Sequence, residues 1–228
     1  MTQSHMHRAA ALAALITLAA CSGAPREAAR TSPQSATAGQ SDDAAIAKAR
    51  ADSARYPYTA ADIHFMSGMI GHHAQALVMA RWAPTHDASP AVRRLAERIV
   101  NGQEDEIATM QRWLRDRRQP VPEARPTGMR MIHDGVEHDM LMPGMLTAEQ
   151  MKQLDEARGA KFDELFLTFM IQHHRGAVSM VKDLFGSYGA GQDETVFKFA
   201  SDVNVDQSTE IERMQKMLAS LKLGIPIP

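Results

Sequence analysis

One sixteen-residue phrase occurs twice in this chain, and any fold the chain adopts must accommodate both copies. Residues 65–80 align with residues 166–181 at a constant offset of 101 positions. Seven pairs are identical: Phe65/Phe166, Met69/Met170, Ile70/Ile171, His72/His173, His73/His174, Ala76/Ala177 and Met79/Met180. At about 100° per residue, Asp62, Phe65, Met69, His72, His73, Ala76 and Met79 fall within a helical arc of about 120°. Asp163, Phe166, Met170, His173, His174, Ala177 and Met180 do the same. Each copy is therefore an inward stripe that is apolar, thioether and imidazole at once. The small Ala76 and Ala177 leave room at its centre for an ion or a neighbouring helix.

The segments after each phrase repeat as well. Gln103, Glu106, Ile107, Met110 and Gln111 match Gln207, Glu210, Ile211, Met214 and Gln215 at an offset of 104. Helix starts are marked by Thr59 with Asp62 in the first turn, by Ser89-Pro90, by Thr147 with Gln150, and by Asp193. Stops fall near Ala83-Pro84, at Gln119-Pro120, at the turn 186–191 and at Gly224. The helix opened at Thr147 is expected to pass Gly159 and carry the second phrase. The prediction is an all-α domain over 56–224, a four-helix bundle of two duplicated hairpins. Repeat one spans 59–118, a long Met/His-rich connection 119–146, and repeat two 147–223. The connection shows no clear period and carries Met129, Met131, His133, His138, Met140, Met142 and Met145.

Composition narrows the chemistry. A formal charge of −2 gives no electrostatic case for nucleic acid. Aromatics at 5% and the lack of alternating β-branched runs argue against a β protein. Methionine is abundant at 16 residues, either as flexible core filler or as thioether ligand. The one cysteine, Cys21, ends a short apolar run in the pattern Leu18-Ala19-Ala20-Cys21, which resembles a bacterial lipobox. Residues 1–21 thus read as a lipoprotein signal peptide with Cys21 as the lipidation site. Residues 22–55 read as a disordered tether, weakly helical from 44 to 55. The expected location is extracytoplasmic, anchored to a membrane, with no thiolate left to ligate metal.

The doubled constellation supplies soft ligands. Met69, His72, His73, Met79, Met170, His173, His174 and Met180 are the candidate metal residues. Imidazole with thioether suits Cu(I), Ag(I) and, for imidazole, Cu(II), whereas Mg and Ca prefer oxygen. Adjacent histidines cannot reach one point from a straight helix, so the neighbour of a ligating histidine serves a second site or a hydrogen bond. Glu106 and Glu210, with Gln103 and Gln207, are candidate accessory residues that orient an imidazole through its other ring N–H. Asp62 and Asp163 do the same or serve their helix N-termini. The loop residues His133, His138, Met140, Met142 and Met145 form either a surface cuprous site or packing over the bundle. Trp82 and Trp113 are expected in the core. Core histidines satisfied by hydrogen bonds remain the purely structural alternative.

Met69-x-x-His72-His73-x-x-Ala76-x-x-Met79 and its copy at Met170 to Met180, with Met142-Pro143-Gly144-Met145 and Phe162-Asp163-Glu164-Leu165-Phe166, resemble the bacterial family called domain of unknown function 305. The resemblance covers about Tyr56 to Leu223. It implies a ferritin-like four-helix bundle and, for some members, exported copper binding. The expected function is binding or sequestration of copper or silver, with a metal ion as partner. A ferritin-like di-metal oxidase is the rival. Met69 and Met170 stand where its Glu-x-x-His carboxylates would be, which disfavours iron.

Overall fold

A computed structural model describes residues 43–51, 54, 57–133 and 136–226. Cys21, the expected signal peptide and most of the expected tether lie outside the described residues. Residues 43–51 are helical, and Ala49 within them is buried, so part of the segment read as tether is ordered against the domain.

Five helices follow: α1 (Ala60–Trp82), α2 (Pro90–Asp116), α3 (Ala148–Glu156), α4 (Gly159–Gly186) and α5 (Glu194–Lys222). Their starts are where the side chains dictate. Thr59 and Asp62 form a reciprocal capping box on α1, and Ser89 caps α2 with Pro90 in its first turn. Thr147 and Gln150 make a second capping box on α3, and Asp193 accepts from Thr195 N and Val196 N to cap α5. Each such cap is worth about 1 kcal/mol.

The two long hairpins, α1 with α2 and α4 with α5, pack together chiefly through α1 and α4. The bundle is all-α apart from one β-hairpin. Helices α1 and α4 run antiparallel. Gly191 N, beyond the end of α4, donates to Asp62 Oδ1 near the start of α1 at 2.7 Å. Ser89 N, beyond the end of α1, donates to Asp163 Oδ1 near the start of α4 at 3.1 Å. The duplication therefore builds an approximate two-fold. Asp62 and Asp163 fasten each repeat to the turn of the other, and among the described residues no hydrogen bond links either carboxylate to a histidine. Of the two roles expected, service at the helix N-terminus holds for Asp62, which closes its capping box, and both carboxylates add this tethering role.

Two other expectations are corrected. The helix predicted to run from Thr147 through Gly159 is two helices. Ala157 and Arg158 leave helical conformation, Gly159 takes φ 57°, and its N–H donates to His86 O at 2.9 Å. Leu154, in the last turn of α3 before the break, is fully buried. The connection also contains an antiparallel hairpin, β1 (Met129–His133) and β2 (Val136–Met140), in register Met129↔Met140 through His133↔Val136. Asp134-Gly135 is a strong two-residue hairpin sequence, but the flanking strands, Met-Arg-Met-Ile-His and Val-Glu-His-Asp-Met, hold only one β-branched residue each. Of the two tryptophans, Trp113 is buried and donates to Asp193 Oδ1 at 3.0 Å, whereas Trp82 is only partly buried. Among the described residues no helix is long and apolar enough to cross a membrane.

Candidate metal centre

All four histidines of the doubled phrase are fully buried at the crossing of α1 and α4. His72 and His173 stack there, with ring centroids 3.8 Å apart and 40° between planes. His73 and His174 flank this pair, at centroid distances of 6.2 and 6.3 Å from their chain neighbours. Each flanking ring turns outward to the second helix of its own hairpin. His73 Nε2 lies 2.7 Å from Glu106 Oε2, and His174 Nε2 hydrogen-bonds Glu210 Oε2 at 2.7 Å. Only the His174 contact is aligned as a hydrogen bond, since His73 Nε2 lies off the direction a bond would need.

The inner ring atoms are left over. Nδ1 of His72, His73, His173 and His174, and Nε2 of His73 and His173, are buried without a hydrogen-bond partner. His72 Nε2 lies 3.0 Å from Pro143 O. A carbonyl only accepts, so His72 carries its proton on Nε2 and keeps a bare lone pair on Nδ1. Glu210 fixes the same tautomer for His174. An unpartnered buried polar atom costs about 1–3 kcal/mol, so a domain that keeps several together is carrying a deliberate deficit. Lone pairs on imidazole nitrogen, protected from water, are what a soft or borderline cation would satisfy.

Burial keeps the central pair, His72 and His173, neutral. Burial, reinforced by His73, lowers His72 to a pKa of about 3 against a weak upward pull from the Pro143 carbonyl. Burial, then His72, holds His173 well below the ordinary value of 6.5. Both rings are thus able to act as ligands at neutral pH, and this sets a pH dependence. Below 6.5 the unfolded chain takes up a proton at each position, while folded His72 stays neutral down to about 3. The metal-free protein should therefore be most stable above 6.5 and lose about 1.4 kcal/mol per pH unit for each of the two rings as pH falls below it. Urea midpoints measured from pH 7.5 to 5 check this. A flat profile would contradict it.

The methionines distribute by the antiparallel crossing. Met69 and Met180 share the buried cluster that also holds Met142 and Met145. Met79 and Met170 share the other. Each end of the histidine layer thus receives one methionine from each repeat. Among the described residues, no three His, Cys, Asp or Glu side chains converge on a point that could hold an ion. Any ion held here takes thioether sulfur into its shell or accepts two imidazoles.

The connection caps one side of this layer. Met142 and Met145 are buried, whereas Met140 and His138 are exposed; the His133 side chain lies outside the described residues. The expected loop site is therefore divided, with its methionines 142 and 145 belonging to the core. A cavity of about 140 Å³, lined by His64, Met142, Pro143, Met180 and Asp183, opens beside the cap. Three residues passed over in the sequence hold the cap in place. Gln75 Oε1 accepts from Leu146 N at 2.7 Å, and its Nε2 donates to Leu146 O at 3.0 Å and Pro126 O at 3.1 Å. Pro143 presents its carbonyl to His72, and Gly176 permits the approach, since a Cβ there would meet Pro143 O at 1.9 Å. A glutamine in a buried stripe and a glycine inside a helix were the available signals.

A duplicated helical bundle with paired, ligand-ready histidines at its waist defines the class of protein. The chain belongs to the family described as Domain of unknown function (DUF305), whose sequence profile matches residues 62–218. Its structure is similar to a DUF305 protein from Streptomyces coelicolor, at 28% identity and TM-score 0.59 over 74% of this chain and 96% of that one. A DUF305 fragment from Deinococcus radiodurans gives 26% identity and TM-score 0.58 over 71% and 97%. CopM in its Cu(II)-bound form gives 28% identity and TM-score 0.54 over 70% and 96%. CopM has also been solved with Cu(I) and with silver. An uncharacterised protein of Acanthamoeba polyphaga mimivirus is 33% identical over 57 residues, 25% of this chain and 38% of that relative.

Proposed function

We propose that this is a lipid-anchored, extracytoplasmic protein that binds copper or silver and thereby buffers or sequesters it. The observation that carries the reading is the set of unpartnered Nδ1 atoms on all four buried histidines of the doubled phrase. A purely structural role leaves these atoms unexplained. The similarity to CopM, a protein solved with Cu(I), Cu(II) and silver, supports the choice of ion.

In this reading His72, His73, His173 and His174 supply nitrogen. Met69 and Met180 offer sulfur on one side, and Met79 and Met170 on the other. Glu210 draws the His174 ring proton outward and keeps its Nδ1 free, and Glu106, 2.7 Å from His73 Nε2, is placed to do the same once aligned. The connection excludes water above His72. The Cys21 lipobox supplies the anchor, and Met142 and Met145 extend the sulfur supply toward the surface.

Competition titration at neutral pH tests the ion. Cu(I) should bind far more tightly than Fe(II) or Mg(II). Absence of Cu(I) binding would leave the histidines structural. Iron binding with oxygen consumption would favour an oxidase instead. Glu106→Gln and Glu210→Gln together should weaken Cu(I) binding by about 10- to 100-fold. Unchanged affinity in that pair would mean that the carboxylates do not tune the rings.

A further inference from the structure

The pairing of β1 with β2 sorts the residues of the capping connection by chemistry. Directly opposite residues of an antiparallel pair share a face, and successive residues of a strand alternate between faces. Met129 is opposite Met140, Met131 opposite His138, and His133 opposite Val136, so one face of the hairpin carries Met or His at five of its six positions. The other face carries Arg130, Ile132, Glu137 and Asp139, with no soft ligand among them. A strand face built for packing holds β-branched and aromatic residues, and Val136 is the only one of that kind on the Met/His face. The face also joins the core to solvent. Met129 is partly buried, and its methyl lies 3.2 Å from where a Cβ on Gly68 of α1 would stand. The Met142 methyl lies 2.6 Å from the same point. Gly68 thus makes room for two thioethers, and Met142 belongs to the buried cluster that holds Met69 and Met180. At the other strand, Met140 is 37% exposed and His138 is exposed.

We propose that this hairpin face is a second soft-ion site, which takes one monovalent cation of the Cu(I) or Ag(I) type at positions 129, 131, 138 and 140. It acquires the ion at the surface, on the capping side of the histidine layer. Its donors lie outside that layer, so the site does not depend on the soft-ion reading of the four histidines. Opposite residues of an antiparallel pair stand about 5 Å apart at Cβ, and the unbranched methionine side chain has three rotatable bonds. The Met129–Met140 and Met131–His138 pairs are therefore within reach of one shared ion. Glu137 and Asp139 fall on the opposite face. The donor set is then thioether and imidazole without carboxylate, which favours Cu(I) or Ag(I) over Mg²⁺ and Ca²⁺. The purely packing alternative accounts for Met129 against Gly68 but not for the exposed Met140 and His138 on the same face.

Methionine methyl NMR on the purified full-length chain, with Ag(I) as the probe, reads the site directly. In a chain carrying His72→Leu and His173→Leu, a small excess of Ag(I) should shift the methyl signals of Met129, Met131 and Met140. Met131→Leu with Met140→Leu, a volume-conserving pair, is then added to that chain. It should remove the shift at Met129 and weaken binding at this face by at least about tenfold, the lower range for loss of a residue that merely supports a ligand. Unchanged signals from the other methionines in the metal-free spectrum confirm the fold. Hairpin methyls that stay still in the histidine variant overturn the proposal, and so does affinity unchanged by the two added leucines. In the parent, hairpin methyls that move while Met69, Met79, Met170 and Met180 do not would support this site and remove the soft-ion reading of the histidine layer, so the two readings fail separately.

Discussion

Replacing His72 and His173 together by leucine should lower Cu(I) affinity by more than about 100-fold, the upper range for residues that merely support ligands. The metal-free variant should lose little stability. Leucine removes three unpartnered buried ring nitrogens, two on His173 and one on His72, and fills most of the same volume. Deleting an unpaired polar group in favour of an apolar one of similar shape is close to neutral or favourable. What is lost is the contact of His72 with Pro143 O, about 1 kcal/mol. Affinity collapse with a preserved melting temperature separates a ligand from a packing residue. Competition against a chromophoric Cu(I) chelator, with thermal melts in parallel, measures both. If the variant binds as the parent does, the central pair is not the site. If it unfolds without binding change, the rings are structural.

Gly176→Ala should be among the most damaging small substitutions in the chain. Its Cβ would lie 1.9 Å from Pro143 O and 2.6 Å from Gly144 Cα, both backbone atoms with no side chain able to swing aside. Gly144 itself takes φ 78°, so the turn at this contact is already fixed. The cap must lift, taking the Pro143 carbonyl away from His72. Overpacking of this kind costs about 3 kcal/mol, which is roughly 6–12 °C in melting temperature for a domain of this size. Gly102 is the internal control. No atom lies within 4 Å of its would-be Cβ, and it sits inside α2. Gly102→Ala should raise stability by about 0.5–1 kcal/mol. Equal effects at the two glycines would contradict the account of the cap.

The helices and the carboxylate partners of the histidines were legible in the sequence because their signals are local and periodic. Thr59, Ser89, Thr147 and Asp193 announce helix starts through their own side chains. Glu106 and Glu210 could be named as imidazole partners because the duplication aligned two helices at once, but which histidine each meets could not. What was not legible is non-local. Met69 joins Met180, and Met79 joins Met170, only because α1 and α4 cross antiparallel. The tethering by Asp62 and Asp163 was hidden for the same reason, since each reaches a turn of the other repeat. The Pro143 carbonyl over His72 is a backbone group and leaves no mark in residue type. The break before Gly159 comes with a positive φ at that glycine and a bond from its N–H to His86 O, a distant backbone group that the capping box at Thr147 does not encode.

The central claim is that a soft ion is held by nitrogen and sulfur in the histidine layer. Copper-edge X-ray absorption on the Cu(I)-loaded protein tests it most directly. The account predicts imidazole nitrogen together with thioether sulfur around the ion, and loss of the imidazole signature when His72 and His173 are leucine. A shell of oxygen donors alone, or an imidazole signature unchanged in that variant, would contradict it.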